Sequence, residues 1–472
     1  MTTATETALP VLQQLDAFRK ILGEKNVFVD AEVLHVYAQD ETEDLHYLPD
    51  VVLKPATTAE VSAVLKICNQ YKIPVTPRGG GTGLSGGALP HLGGVLLSVE
   101  RMNQIVHIDE RNLQVVTQPG VITEVLQNAV REKGLFYPPD PSSRGTCFIG
   151  GNIAENSGGP RAVKYGVVKD YVLNLEVVLP TGEVFWTGAN VLKNATGYNL
   201  TQLVVGSEGT LGVVTQIVLK LLPHPQQDLL MLVPFTSAED ACAAVSAVFR
   251  AGFIPSALEF MERDALVWVM QHVESAVPVA DETQAHLLIE VDGNDAEVLM
   301  KEMEGITEVV MQYGAGDILF ADDAQQKEQL WKLRRRVGEA VKANSVYKEE
   351  DTVVPRAELP KLLHGVKEIG RKYGFKTVCY GHAGDGNLHV NIIKGDLTDA
   401  QWNGSLKQGI REIFALVKSL GGTLSGEHGI GLVQKEFMDI MFGPVEMRLM
   451  RGIKKLFDPN NILNKGKIFE DL

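Results

Sequence analysis

Two short stretches of the sequence gather side chains able to hold a metal ion or move a proton. TVCYGHAGDGNLHVNI, residues 377–392, carries His382 and His389, and GGTLSGEHGIG, residues 421–431, carries Glu427 and His428. The first stretch reads as strand, turn, strand, because Asp-Gly, here Asp385-Gly386, is among the strongest hairpin turn dipeptides. A turn centred between these two residues sets His382 opposite His389 and Tyr380 opposite Asn391. Opposed residues share a face with Cβ atoms roughly 4.5–5.5 Å apart, so two imidazoles so placed can take one ion. Strand alternation also puts His389 and Asn391 on one face. Glu427 supplies a third ligand. A carboxylate with two imidazoles suits zinc or another divalent first-row metal such as manganese, with positions left open for substrate. The sequence has no H-E-x-x-H, so a metalloprotease has little support. His35, His46, His91, His107, His224, His272, His286 and His364 read as ordinary, partly buried polar residues.

A second chemistry is signalled by glycine. PRGGGTGLSGG, residues 77–87, contains G-x-G-x-x-G from Gly81 to Gly86. A dinucleotide fingerprint must follow a strand and open a helix. Lys72–Thr76 reads as the strand, but GALPHLGG follows Gly86 and then the strand-like GVLLSVE. The helix is predicted upstream instead. Thr57 and Glu60 form a capping box, and Val61, Val64, Leu65 and Cys68 follow at i, i+3, i+4, i+7. A Walker loop is excluded for want of G-K-[ST]. What remains is a glycine loop whose N–H groups can converge on an anion, led by Arg78. Residues 138–166 form a second loop, rich in glycine and asparagine, and loops so long are usually functional. GSEGTLG, residues 206–212, is a third glycine turn, feeding an apolar β run. Three such turns along one α+β domain suit a long cofactor laid across it.

The remaining composition sets limits. The chain has 472 residues and a net charge of −15, which argues against nucleic acid as a partner. Cys68, Cys147, Cys242 and Cys379 form no C-x-x-C, so neither a zinc ribbon nor an iron–sulfur cluster is expected, and they read as reduced, buried, small hydrophobes. No stretch approaches the ~20 apolar residues of a membrane span. The first residues lack the features of a secretory signal or transit peptide. The expected location is the cytoplasm, with membrane association, if present, through a partner. After Pro223-His224-Pro225 the composition shifts to alternating strands (LLMLVPF, HLLIEVDG) and helices (ACAAVSAVFRAG, AELPKLLHGVKEIGRKYG), the pattern of an α+β cap. Three divisions are expected: residues 1–225, with a helical lead-in, residues 226–450, and a closing segment 451–472. In so acidic a protein Arg334, with Lys348, is a candidate carboxylate clamp, since guanidinium grips a carboxylate bidentately. Arg335 and Arg336 cannot share Arg334's face.

The loop PRGGGTGLSGG, the segment GGNIAENSGGPRAVKYG and the turn GSEGTLG resemble the FAD-binding domain of the vanillyl-alcohol-oxidase fold. From about residue 45 onward the chain resembles, more closely, the FAD-linked D-2-hydroxy-acid dehydrogenases, a family that holds D-lactate dehydrogenases, glycolate oxidase flavin subunits and D-2-hydroxyglutarate dehydrogenases. The implied fold is α+β, with a FAD-binding domain of that type and a cap domain built on an antiparallel sheet. The implied FAD contacts are Pro77, Arg78, Gly79, Gly80, Gly81, Thr82, Gly83, Leu84 and Ser85 in the first loop, and Pro119 and Gly120. They continue with Pro141, Gly145, Thr146, Gly150, Gly151, Asn152, Ala154, Asn156, Gly158, Gly159 and Gly166 in the second loop, and Glu208, Gly209, Gly212, Val213 and Asn464 beyond it. The first loop has no histidine, so the resemblance implies noncovalent FAD. It also implies that His382, His389 and Glu427 are metal ligands, that His428 is the catalytic base, and that Asn391 lies at the substrate hydroxyl. Arg334 and Lys348 match carboxylate contacts of the D-2-hydroxyglutarate members. Where those members have a threonine this chain has Gly338, and where the family has proline before its end this chain has Lys465. The first departure favours a smaller acid, lactate or glycolate.

The expected reaction is oxidation of a D-2-hydroxy acid to the 2-oxo acid, with hydride to FAD and metal assistance. Electrons then leave to a separate acceptor: a quinone, an electron-transfer protein or an iron–sulfur subunit. Self-association, if present, is expected as a homodimer. Two other classes share these signals, a non-redox enzyme of the alkyl-glycerone-phosphate synthase type and a noncatalytic flavin subunit.

Overall fold

A computed structural model describes residues 10–273, 277 and 279–470. The chain divides into two compact units. One comprises residues up to Ser157, Val167–His224 and Glu427 onward; the other comprises Gly158–Gly166 and Pro225–Gly426. The return to the first unit thus comes at Glu427, earlier than the expected residue 451. Gly158, Gly159 and Gly166, expected among the FAD contacts, group with the second unit.

In the first unit, strands Val27–Phe28, Val51–Leu53, Val95–Ser98 and Val75–Arg78 form a sheet in that order. Its last three strands are parallel. Val51, Leu53, Val95, Leu96 and Leu97 are completely buried, the continuous apolar run of a parallel strand covered on both faces. The helix Thr58–Tyr71 begins where the capping signal places it: Thr57 accepts from the Glu60 N–H at 3.2 Å, and Glu60 accepts in turn from the Ala56 N–H. Its stripe Val61, Val64, Leu65 and Cys68 is fully buried, so Leu65→Ala would cost roughly 2–5 kcal/mol. The expected strand over Lys72–Thr76 instead runs Val75–Arg78, because Lys72 ends the helix in the left-handed region (φ 53°). A second sheet, antiparallel, orders Ile105–Asp109, Gln114–Thr117, Val213–Lys220, Val172–Val178 and Val184–Trp186.

The second unit is built on a seven-stranded antiparallel sheet. Its order is Leu319–Phe320, Gln227–Phe235, Ala285–Gly293, Ala257–Glu262, Lys376–Gly381, Asn387–Ile393 and Tyr347–Val353. One face packs on the helices Ala324–Arg335 and Val337–Asn344 through Ala257, Met261, Tyr347, Val378, Tyr380 and Ile393. All four cysteines are buried thiols.

Candidate active site

The helix-covered face of the second unit carries polar residues where apolar ones are expected. Glu259 lies between Ala257 and Met261, and His389 and Asn391 line the same face of their strand. The neighbouring strand sets Asp351 opposite His389 and Glu349 opposite Asn391. Opposed residues share a face, so five polar residues from three strands look one way.

The hairpin forms, in a register shifted from the expected one. Tyr380 pairs with His389 and Val378 with Asn391. The turn is not a tight two-residue Asp-Gly turn. A short 3-10 segment, Ala383–Asp385, precedes Gly386 in the left-handed region (φ 89°), which moves the centre of the turn back by one residue. His389's partner therefore moves by two positions, which keeps every side chain on its face. His382 sits at the mouth of the turn, and its ring centroid still lies 5.4 Å from that of His389. Their ligand atoms lie within 4.8 Å of each other. Both rings are buried.

Carboxylates stand at both rings. Glu259 accepts from His382 Nδ1 at 2.8 Å, because the pairing of Met261 with Tyr380 extends to bring Glu259 opposite His382. That bond puts the proton on Nδ1 and leaves Nε2 as the ring's lone-pair nitrogen. His389 Nδ1 lies 3.2 Å from Glu349 and 3.6 Å from Asp351. Arg334, 3 % exposed, pairs with Glu259 at 2.7 Å, and its guanidinium carbon lies 5.2 Å from the centre of the Tyr380 ring. Burial alone would raise the Glu259 carboxyl; the charges of His382 and Arg334 outweigh it and hold the group below the usual carboxylate range. Burial first, then the Glu349 charge, pushes the Tyr380 phenol well up, with the Arg334 charge opposing. Asn391 is completely buried, and neither of its amide atoms has a hydrogen bond of normal geometry.

Arg335 and Arg336 leave this face, as expected: Arg335 lies over Trp331 and Arg336 pairs with Glu339. Lys348 departs from expectation. It opposes Ile392, and strand alternation turns it to the other face from Glu349 and Asn391. A Cβ at Gly338 would stand 3.2 Å from the Tyr380 hydroxyl. Glu259, Glu349 and Asp351 were missed from sequence. An acid in the apolar strand ALEFME was the available signal for the first.

In the first unit the glycine-rich stretches meet. The strand ending in Pro77 and Arg78 releases the loop Gly79–Ser85, in which Gly81 is left-handed (φ 72°). Among the described residues, no protein acceptor takes the N–H groups of Gly80, Gly81, Thr82, Gly83, Leu84 and Ser85. Hydrogen bonding resumes at Gly86, whose N–H donates to Thr42 at 2.7 Å. Arg78 Nη1 and Ser85 Oγ are buried without partners. A run of open donors and an orphaned guanidinium nitrogen fit the pyrophosphate of a dinucleotide such as FAD.

The second stretch is less of a loop than expected, since Ile149–Glu155 and Ala162–Tyr165 are helical. Of its glycines, Gly150 serves close packing, since a Cβ there would strike Pro119; in the first loop, one on Gly80 would come within 2.7 Å of the Thr146 carbonyl. Gly120 donates to the Met102 carbonyl, and Arg144, near Gly145, donates its N–H to the Pro141 carbonyl. Asn152 donates to Thr123 at 2.7 Å, and Asn156 caps its helix in the left-handed region. The third turn joins on through Glu208, whose N–H donates to the Ala154 carbonyl and whose own carbonyl accepts from Asn464 at 2.7 Å. A Cβ on Gly209 would lie 3.2 Å from Asn464, and Gly212 fits tightly against Val177 as the strand from Val213 begins. Glu427 and His428 open the segment that returns to this unit, His428 Nε2 standing 3.9 Å from Glu427 Oε1. They follow directly on Gly426, whose N–H donates to Asp351 in the second unit at 2.8 Å.

Among the described residues, no helix is long and apolar enough to cross a membrane. Residues 49–188 match the family of FAD binding domains, and residues 224–468 match the C-terminal domain of FAD linked oxidases. The chain is 39% identical to a D-lactate dehydrogenase of Anaerostipes hadrus, over 97% of each chain. It is 40% identical to the glycolate oxidase subunit GlcD of Bacillus subtilis, over 92% of each. It is 33% identical to a D-2-hydroxyglutarate dehydrogenase of Stutzerimonas stutzeri, over 96% of this chain and 98% of that one. The fold is shared with p-cresol methylhydroxylase, at a TM-score of 0.79 and 20% identity over 97% of this chain and 96% of that one. It is also shared with an alkyldihydroxyacetonephosphate synthase, at a TM-score of 0.73 and 18% identity over 96% and 84%. The chain belongs to the FAD-linked D-2-hydroxy-acid dehydrogenase family and is a FAD-dependent oxidoreductase.

Proposed function

We propose that the protein oxidises a D-2-hydroxy acid to the 2-oxo acid, with D-lactate or glycolate favoured over D-2-hydroxyglutarate. The observation that carries this reading is the buried His382–His389 pair, oriented by carboxylates beside an Asn391 amide that no protein group satisfies. An orphaned amide of that kind is what a ligand carrying a hydroxyl would satisfy. The donor set of two imidazoles, with Glu427 as the third ligand, suits zinc or manganese. Bound FAD, held without a covalent link, supplies the two-electron acceptor for the Cα hydrogen, and a divalent ion supplies Lewis acidity at the hydroxyl.

The chain's own residues do the rest. His428 takes the hydroxyl proton as general base. Arg334 presents its guanidinium to the substrate carboxylate, with its Nε side anchored on Glu259. Asn391 bonds the hydroxyl. Lys348 takes no part in this clamp, because of the face it occupies. Gly338 leaves the Tyr380 hydroxyl in the space a side chain would take, which shortens the pocket in favour of a small acid. Electrons leave to a separate quinone or protein acceptor, and the location is cytoplasmic.

An anaerobic screen of flavin bleaching against glycolate, D-lactate, L-lactate and D-2-hydroxyglutarate tests the reading. Fast bleaching by D-lactate or glycolate is expected. Fastest bleaching by D-2-hydroxyglutarate would reassign the substrate, and bleaching by none would favour the non-redox or noncatalytic alternatives.

A further inference from the structure

The segment that carries His428 is gripped from below by a glutamate of the third glycine turn. Glu208 is buried, 6 % exposed, and sits in the left-handed region at φ 52°. Its two oxygens divide between two successive N–H groups: Ile430 donates to Oε1 at 2.9 Å and Gly431 to Oε2 at 2.7 Å. Gly429, at φ 80°, has no room for a Cβ, which would meet the Glu155 carboxylate and stand 3.0 Å from the Glu208 carboxyl carbon. Leu432 donates to the Ser85 carbonyl at 2.8 Å, and the Gly431 carbonyl accepts from Ile468 at 2.9 Å. The backbone that carries the imidazole therefore rests on residues from all three glycine-rich stretches, and Glu208 is the one that binds it by charge.

We propose that Glu208 is a positioning residue: its bidentate grip on the Ile430 and Gly431 N–H groups fixes the loop that begins at Glu427 and so sets where His428 presents its ring. This rests on the reading of His428 as the base. A carboxylate accepting two N–H bonds holds a loop tightly, since charge-assisted hydrogen bonds are about twice as strong as neutral ones. Glu208 was expected from sequence to touch FAD; its side-chain oxygens bind the loop.

The test is a double-variant comparison on the FAD-loaded protein, using the 2-hydroxy acid that bleaches the flavin fastest. Glu208→Gln keeps the size but turns one acceptor oxygen into an NH2 facing an N–H. The rate of flavin reduction should fall about 10–100-fold, as for other orienting partners, with KM and FAD content unchanged. Glu208→Gln combined with His428→Ala should be no slower than His428→Ala alone, because a residue acting through His428 has nothing left to position. A wild-type rate in Glu208→Gln, loss of its FAD, or losses that multiply in the double variant would overturn the assignment. Should Glu208→Gln fail to fold, Gly429→Ala displaces the same loop with Glu208 intact. It should show the same rate loss at unchanged KM, and a wild-type rate there also overturns the proposal. A wild-type rate in His428→Ala contradicts the functional reading itself. A loss in His428→Ala without one in Glu208→Gln contradicts only the positioning role.

Discussion

Glu259 in the second unit is buried and Glu155 in the first is partly buried with its Oε2 out of solvent, yet their surroundings drive them in opposite directions. Glu259 faces His382 and Arg334, which overcome the effect of burial and hold it ionised. Glu155 has burial and a second carboxylate, Glu208, acting together, which push it well above the usual range. Glu208 is raised by burial too, with the Ile430 and Gly431 N–H groups opposing. Burial by itself does not set the charge of a carboxylate; the group it faces does. The cationic partners hold a charged network together around the His382–His389 pair. Where the two carboxylates lie near each other, Glu208 holds backbone N–H groups and its charge pushes Glu155 up.

The comparison can be broken by removing a partner. His382→Ala takes away a hydrogen-bond donor to Glu259 and one imidazole of the pair. Turnover should fall on the order of 10³-fold, the scale of several kcal/mol of transition-state stabilisation, with FAD still bound; steady-state kinetics and flavin spectra check it. Glu259→Gln keeps the shape and removes the charge that fixes His382. Metal affinity should drop about 10–100-fold, read by competition with a chelator; an unchanged affinity would make the carboxylate merely structural. Below ~4.3, where the Glu155 carboxyl is protonated whether the chain is folded or not, Glu155→Gln should change the unfolding free energy in urea by about 1 kcal/mol or less. A large loss there would mean that Glu155 is charged after all.

The pH dependence sharpens the same contrast. The Glu259 carboxyl is lower in the folded protein, so its stabilising contribution is present above the unfolded value, near ~4.3, and is lost as pH falls through the folded one. Glu155 is raised, so its contribution is complete below ~4.3 and is lost as pH rises toward its folded value. Urea unfolding across pH should show Glu259→Gln flattening the acid limb and Glu155→Gln flattening the loss on the alkaline side.

Much of the site could be read from residue types. The Asp385-Gly386 turn, the paired histidines and the polar Asn391 beside His389 were visible because β alternation has a period of two, and the error in register was also two, which preserved the face. Lys348 shows the converse. One position separates it from Glu349, and that single step puts it on the wrong face of a strand whose phase the sequence did not fix. Glycine had two meanings that sequence alone could not separate. Gly81 supplies a left-handed turn, whereas Gly150 lies inside a short helix and is small because Pro119 presses against it. Contacts such as Glu259–His382 and Glu208–Gly431 join residues far apart in the chain, and only the folded sheet and turns reveal them.

The most direct test is the rate at which D-lactate or glycolate reduces the protein's flavin, under anaerobic conditions, before and after divalent metal is stripped with a chelator. Reduction should collapse in the stripped protein with FAD retained, and should return when zinc or manganese is added back. Full-rate reduction by protein shown to be metal-free would contradict the assignment of His382 and His389 as ligands, and with it the mechanism proposed here.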